Sequence, residues 1–104
     1  MIYCFDLDST LCTTVKNKHG HKEYKLAEPL LERIKKVNEL YDDGHIIKID
    51  TARGAESGID WTELTKQQLA QWGVKYHLLR LGKKLNADQY IDDKGLSDKQ
   101  FFND

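Results

Sequence analysis

Residues 1–12 read Met1-Ile2-Tyr3-Cys4-Phe5-Asp6-Leu7-Asp8-Ser9-Thr10-Leu11-Cys12. An apolar run suited to a buried strand stops at two carboxylates that flank a single leucine. Side chains alternate faces along a strand, so Asp6 and Asp8 can point the same way where it ends. Two like charges that close are costly unless something positive sits between them. A hard cation such as Mg²⁺ answers that need, because it takes oxygen ligands and often only one or two carboxylates. A strand ending in a plain polar turn is the simpler alternative, and these residues by themselves leave it open.

The whole chain sets the bounds. A length of 104 residues suits one domain, 1–104, with a core that needs no disulfide staples. With 39% hydrophobic and 32% charged residues the balance is that of an ordinary folded protein. The net charge of −1 exerts no global pull on nucleic acid or an anionic membrane. No apolar run approaches the ~18 residues of a membrane span. Asp6 interrupts the first run too early for a signal-peptide core. Cys4 and Cys12 have neither metal nor redox spacing, and Cys4 reads as a small buried strand residue. These features predict a cytoplasmic, reduced protein.

Thr13 to Lys25 is polar and basic, with Lys16, Lys18, His19, His21, Lys22 and Lys25 around Gly20. A glycine among polar residues signals a turn, so 13–25 reads as a flap-like insertion, a short hairpin that could draw an anion toward whatever lies beneath; a solvated loop fits as well. His19 and His21 read as surface residues. Pro29 suits the first turn of a helix. Leu30, Ile34, Val37 and Tyr41 then recur at helical spacing, and Leu31 and Leu40 widen the stripe. Gly44 ends that helix. His45 to Thr51 reads as a second strand, followed by the loop Ala52 to Gly58. Trp61 to Trp72 reads as a second helix, with Trp61, Leu64, Gln68 or Leu69, and Trp72 on one face and both tryptophans in the core. Gly73 stops it. A third strand covers His77 to Arg80, a loop or short turn Gly82 to Asn86, and a fourth strand Gln89 to Ile91, closing in Asp92-Asp93. Phe101 and Phe102 fold back on the core.

This alternation predicts an α/β fold, a three-layer Rossmann-like parallel sheet with helices on both faces. Ligands in such sheets bind beyond the carboxyl ends of the strands. Asp6, Asp8, Thr51, Asp92 and Asp93 all fall there, and Lys83 precedes the last strand closely enough to reach across. Acids, a hydroxyl and a lysine form a coherent set for a phosphoryl group. Mg²⁺ held by the acids would neutralise phosphate charge. Lys83 would add a fixed positive charge, and the Thr51 hydroxyl with the N–H groups of the loop at Ala52 would donate to phosphate oxygens. One aspartate can attack phosphorus while a second moves the proton. Spontaneous phosphate-monoester hydrolysis is so slow that accelerations of up to ~10²¹ are needed, most of it from positioning and charge neutralisation.

Four segments in order resemble the motifs of the haloacid dehalogenase (HAD) superfamily: Asp6-Leu7-Asp8-Ser9-Thr10, Thr51 after an apolar strand, Gly82-Lys83, and Ile91-Asp92-Asp93. The resemblance spans nearly the whole chain, and together the four motifs are far more specific than any one. It implies a Mg²⁺-dependent phosphatase. Asp6 would be the nucleophile and Asp8 the general acid/base. Mg²⁺ would be held by Asp6, the Asp8 carbonyl and Asp92, with Asp93 helping directly or through water. Thr51 and Lys83 would hold the phosphate, and Thr10 would brace the loop. A narrower likeness, carried by Thr51-Ala52-Arg53-Gly54, Asp60-Trp61, Gln68-Leu69, Trp72-Gly73-Val74, Tyr76-His77 and Ile91-Asp92-Asp93-Lys94, is to small HAD phosphatases of bacterial capsule polysaccharide loci. It implies a small-molecule substrate, a sugar phosphate or related metabolite.

Some positions depart from that pattern. Ser9 stands where many members carry glycine. Lys48 and Asp50 are charges in a strand expected to be apolar, and Asp50 has no role in the motif set. The chain leaves room for a minimal cap or none, which implies an open site that takes a large substrate or borrows a second copy of the chain, a homo-oligomer, as its lid. Arg53 and Arg80 could touch the substrate, or form ordinary surface ion pairs. Two other functions fit parts of the pattern. A polynucleotide end phosphatase would use the basic flap, against the weight of the net charge. A receiver domain would be phosphorylated on Asp50.

Overall fold

Five strands, β1 (Ile2–Asp6), β2 (Ile46–Thr51), β3 (Leu78–Leu81), β4 (Gln89–Asp92) and β5 (Leu96–Ser97), line up in the order β3-β2-β1-β4-β5. Every neighbouring pair is parallel. They belong to a computed structural model that describes residues 1–55, 57–82, 89–92 and 96–103, with backbone alone at 89, 90, 92, 96 and 97. The chain fills the sheet outward from β1 to β3, then returns to the far side of β1 for β4. The strand order therefore reverses between β1 and β4, and in open α/β sheets that crevice is where ligands bind.

Helix α1 (Leu31–Asp42) joins β1 to β2, helix α2 (Thr62–Gln71) joins β2 to β3, and α3 (Asp98–Phe102) follows β5. Register puts Tyr3 and Phe5 of β1 beside Ile47 and Ile49 of β2 on one sheet face, with Leu79 of β3 and Ile91 of β4 alongside. That face meets Ile34 and Val37 of α1 and Leu69 of α2 in a single apolar cluster. Burial of this face is the main source of stability, at roughly 1.5–3 kcal/mol for each large side chain taken out of water. Phe101 and Phe102 close over Phe5 at ring separations of 5.6 and 5.9 Å, as the sequence predicts for the tail.

The connection from β3 to β4 lies outside the described residues, and among those residues the opposite face carries no helix. Cys4 is buried there, but Ile46 and Leu78 remain 40% and 46% exposed, and none of the three joins the cluster. Among the described residues the helices cover one face. The physical reason is topological. Two right-handed crossovers running the same way along a sheet place their helices on the same side.

Local departures are small and explicable. Pro29 forms a bridge with Cys12, and the Leu30 N–H donates to the Leu11 carbonyl at 2.9 Å. Those bonds hold residues 29–30 extended, so α1 begins at Leu31, which is 64% exposed rather than part of the stripe. The α2 start is fixed by Asp60, whose carboxylate accepts the Thr62 N–H at 2.9 Å. Hydrogen bonds from the Thr62 side chain and backbone hold that carboxyl below its usual range. Strand β5 has no counterpart in the sequence reading. No described helix is long and apolar enough to cross a membrane.

Candidate active site

The end of β1 turns into a tight knot. The Leu7 carbonyl accepts the N–H groups of Thr10, Leu11 and Cys12 at 3.2, 2.8 and 3.2 Å, and the Ser9 N–H donates to the Cys12 carbonyl at 2.8 Å. So sharp a turn needs a left-handed residue, and Ser9 supplies it with φ of 68°. That conformation costs a non-glycine residue about 1 kcal/mol. The Ser9 and Thr14 hydroxyls bond each other across the knot. The Arg33 guanidinium ties the Thr10 carbonyl at 3.0 Å to Asp98 at 2.8 Å, linking the knot to α3.

The knot aims the Asp8 carboxylate at Arg53. Arg53 Nη2 donates to Asp8 Oδ1 at 2.8 Å, and Nε donates to Oδ2 at 3.0 Å. Arg53 is not at the surface: it is 2% exposed. Its Nη1 donates to Gln68 Oε1 at 2.6 Å and to Thr65 Oγ1 at 3.2 Å, and its Cζ lies 4.7 Å from the centre of the Tyr24 ring. Gln68 in turn donates to the Tyr24 carbonyl at 2.7 Å. One guanidinium thus holds together the first motif, the loop after β2, helix α2 and the base of the 13–25 insertion. Its place differs from the substrate contact and from the surface ion pair read from the sequence, because its donors are already taken inside the protein. No buried side-chain nitrogen or oxygen among the described residues lacks a partner, so this polar cluster is fully satisfied. Thr65 and Gln68 escaped the sequence reading as site residues. The available signal was a polar pair three residues apart on the face of α2 that should have been wholly apolar.

Cys12 belongs to the same cluster. Its Sγ lies 3.5 Å from Asp8 Oδ1. Burial first, and then the charge of Asp8, push its thiol up to about 12, so it stays protonated and donates.

The other predicted positions divide into three groups. Asp6 pairs in register with Asp50, which makes that unassigned acid its direct neighbour on one sheet face. Arg80 follows on the same row, opposite Asp50 and exposed. Thr51 lies one step beyond, 2% exposed, its hydroxyl accepting the Arg53 N–H at 3.3 Å, with Ala52 exposed next to it. The Phe5–Ile91 pairing carries Asp92 to the strand end next to Asp6. Lys83 and Asp93 lie outside the described residues, as does the Asp92 side chain. Among the described residues no three His, Cys, Asp or Glu side chains gather as a metal cluster.

Beside the knot the 13–25 insertion does form a hairpin. Lys16 bridges Lys22, and Asn17, Gly20 and His21 close the turn. His19 and His21 are exposed, as predicted. Between this hairpin and the loop after β2 lies a cleft of about 630 Å³, bordered by His21, Lys22, Tyr24, Ala52, Ile59 and Trp61. Trp72 packs on the core as expected, but Trp61 is half-buried in the cleft wall, edge-on to Tyr24 at 5.1 Å. Cleft and knot share a boundary, since the Tyr24 ring covers the guanidinium that grips Asp8.

No protein-family model matches the chain, and no curated protein does. The fold is similar to that of a crystallised target protein from Vibrio cholerae, with a TM-score of 0.70 and 25% identity over 98% of this chain and 88% of that one. That likeness supports the small α/β architecture with its parallel sheet and carries no activity with it.

Proposed function

We propose that the chain is a phosphate-monoester hydrolase working through a phosphorylated Asp6. One observation carries this reading: Asp6 ends the central strand beside the switch point, and Asp8, two residues further on, is gripped by a buried arginine. Such an arrangement separates two jobs. Asp6, at the strand end, is placed to attack phosphorus as the bond to the leaving oxygen breaks. Asp8 is placed to give that oxygen a proton, and later to take one from the water that attacks the phosphorylated Asp6 and releases phosphate. Oδ2 is the less engaged of the two Asp8 carboxylate oxygens. It accepts one bond from Arg53, whereas Oδ1 accepts from Arg53 and faces Cys12.

The donor chemistry fits Mg²⁺. The oxygen ligands would come from Asp6, the Asp8 carbonyl and Asp92 on the neighbouring strand end, with Asp93 next in sequence. The ion would supply neutralisation of the phosphate charge as it is transferred. Thr51, with the adjoining backbone at Ala52, and Lys83 would hold the phosphoryl oxygens, as the motif resemblance implies.

The test is turnover of p-nitrophenyl phosphate. The wild-type protein should hydrolyse it, EDTA should stop the reaction, and added Mg²⁺ should restore it. Asp6→Asn should abolish turnover with the fold intact by circular dichroism. Retained turnover in Asp6→Asn would overturn the nucleophile assignment.

A further inference from the structure

Apart from Ala52, the cleft beside the knot is built from parts that the hydrolytic reading leaves unused. Gly54 has φ of +83°, and a Cβ there would run into the Ile59 carbonyl and press on Trp61 Cδ1 at 3.3 Å. The loop is therefore folded tightly on itself, which sets Ile59 and Trp61 beside Ala52. Ile59 is 55% exposed and lines the cleft, giving it an apolar wall. Trp61 and Tyr24 meet edge to face, leaving aromatic surface on the cleft. Across from them the hairpin presents His21 and Lys22, both exposed. Lys22 has no carboxylate partner among the described residues. Arg53, the nearest buried cation, already spends its charge on Asp8. The volume of about 630 Å³ exceeds the need of a bare phosphate and lies in the range of pockets that take drug-sized ligands.

We propose that this cleft binds the organic part of the substrate, and that it selects a phosphate ester carrying a ring and a second anionic group. This rests on the hydrolase reading above and specifies its substrate class. The reactive phosphate would lie at Thr51 and Ala52, where the cleft meets the strand ends. The ring would lie on Trp61, with Ile59 and Tyr24 completing an apolar wall. The second anion would meet Lys22 and His21. A flat base and the apolar face of a sugar both satisfy the wall, and the two are separated by the choice of probe.

Binding can be read without turnover, by tryptophan fluorescence in EDTA. The probes are adenosine 3′,5′-bisphosphate, glucose 1,6-bisphosphate and glycerol 3-phosphate. At least one bisphosphate should bind about tenfold or more tighter than glycerol 3-phosphate, as stacking on one aromatic side chain is worth roughly tenfold to hundredfold. The tighter bisphosphate identifies the ring as base or sugar. The quench should persist in Trp72→Phe, which leaves Trp61 as reporter, and vanish in Trp61→Phe. Lys22→Ala, on an exposed hairpin where misfolding is not a concern, should weaken the bisphosphate by up to about fivefold and glycerol 3-phosphate by less. Equal affinities for the three probes, or a quench that survives in Trp61→Phe, would overturn the proposal. Acetyl phosphate hydrolysis by the wild-type protein with Mg²⁺ tests the underlying reading separately. Saturable binding that depends on Trp61, without any hydrolysis, would keep the cleft and sink the hydrolase.

Discussion

The knot of residues 7–12 and the hairpin around Gly20 are neighbours in the chain and differ in almost every physical respect. Leu7, Thr10, Leu11 and Cys12 are each 0–1% exposed, with three N–H groups converging on one carbonyl. Lys18, His19, Gly20, His21 and Lys22 are all exposed, and local bonds of their own close the turn. The knot holds an acid in one orientation, which catalytic chemistry requires. The hairpin borders a cleft on the protein surface. The contrast teaches that a buried, tightly bonded turn and an exposed one can lie side by side in a single short stretch of chain. The join between the two is Arg53, which grips Asp8 on one side and lies under the Tyr24 ring on the other.

The largest effect should come from cutting that join. Arg53→Ala leaves the Asp8 carboxylate without its partner and strands Gln68 and Thr65. Losing one member of a buried charge pair costs about 3–5 kcal/mol. Urea unfolding should show that loss, and Arg53→Lys should recover only part of it, since an ammonium lacks the planar fork. A change below about 1 kcal/mol would mean that the knot does not depend on Arg53.

The next effect is a pH window. The folded Cys12 thiol is pushed from 9.0 up to about 12. The folded state therefore keeps a proton that the unfolded state releases, so this contribution is intact below pH 9 and drains away as pH rises from 9 toward 12. Cys12→Ala should unfold less steeply than wild type across that window. Parallel alkaline curves would show that Cys12 is not buried against Asp8 as described.

Smaller still, and opposite in sign, Ser9→Gly should stabilise the fold by about 0.5–1 kcal/mol by relieving the left-handed serine, less whatever the bond to Thr14 contributes. Smallest of all, His19→Ala or Lys18→Ala in the hairpin should shift stability by no more than about 0.5 kcal/mol. A larger shift there would erase the distinction between the two regions.

Much of this was legible in the residues, for physical reasons. Apolar runs and helical stripes mark β1, β2, α1 and α2 because burial of one face drives their formation. Asp6 at the end of β1 and Asp8 just past it stand out because two like charges that close are costly unless something offsets them. Other features were hidden because they depend on contacts distant in sequence. Nothing local shows that Arg53 turns inward, since its partners Asp8 and Gln68 lie 45 and 15 residues away. Trp61 looks like core by its helical spacing, yet the fold at Gly54 places it in the cleft wall. Asp50 has no role in the four-motif set, and only strand register reveals that its neighbour is Asp6.

That last pairing gives the most direct test of the central claim. Asp6 and Asp50 lie side by side, and the hydrolase reading places phosphate on Asp6, whereas a receiver domain would carry it on Asp50. The phosphoenzyme should be trapped with acetyl phosphate and Mg²⁺, quenched in acid, reduced with borohydride and mapped by peptide mass spectrometry. The account predicts the modification on Asp6. Modification on Asp50, or none on either aspartate, would contradict it.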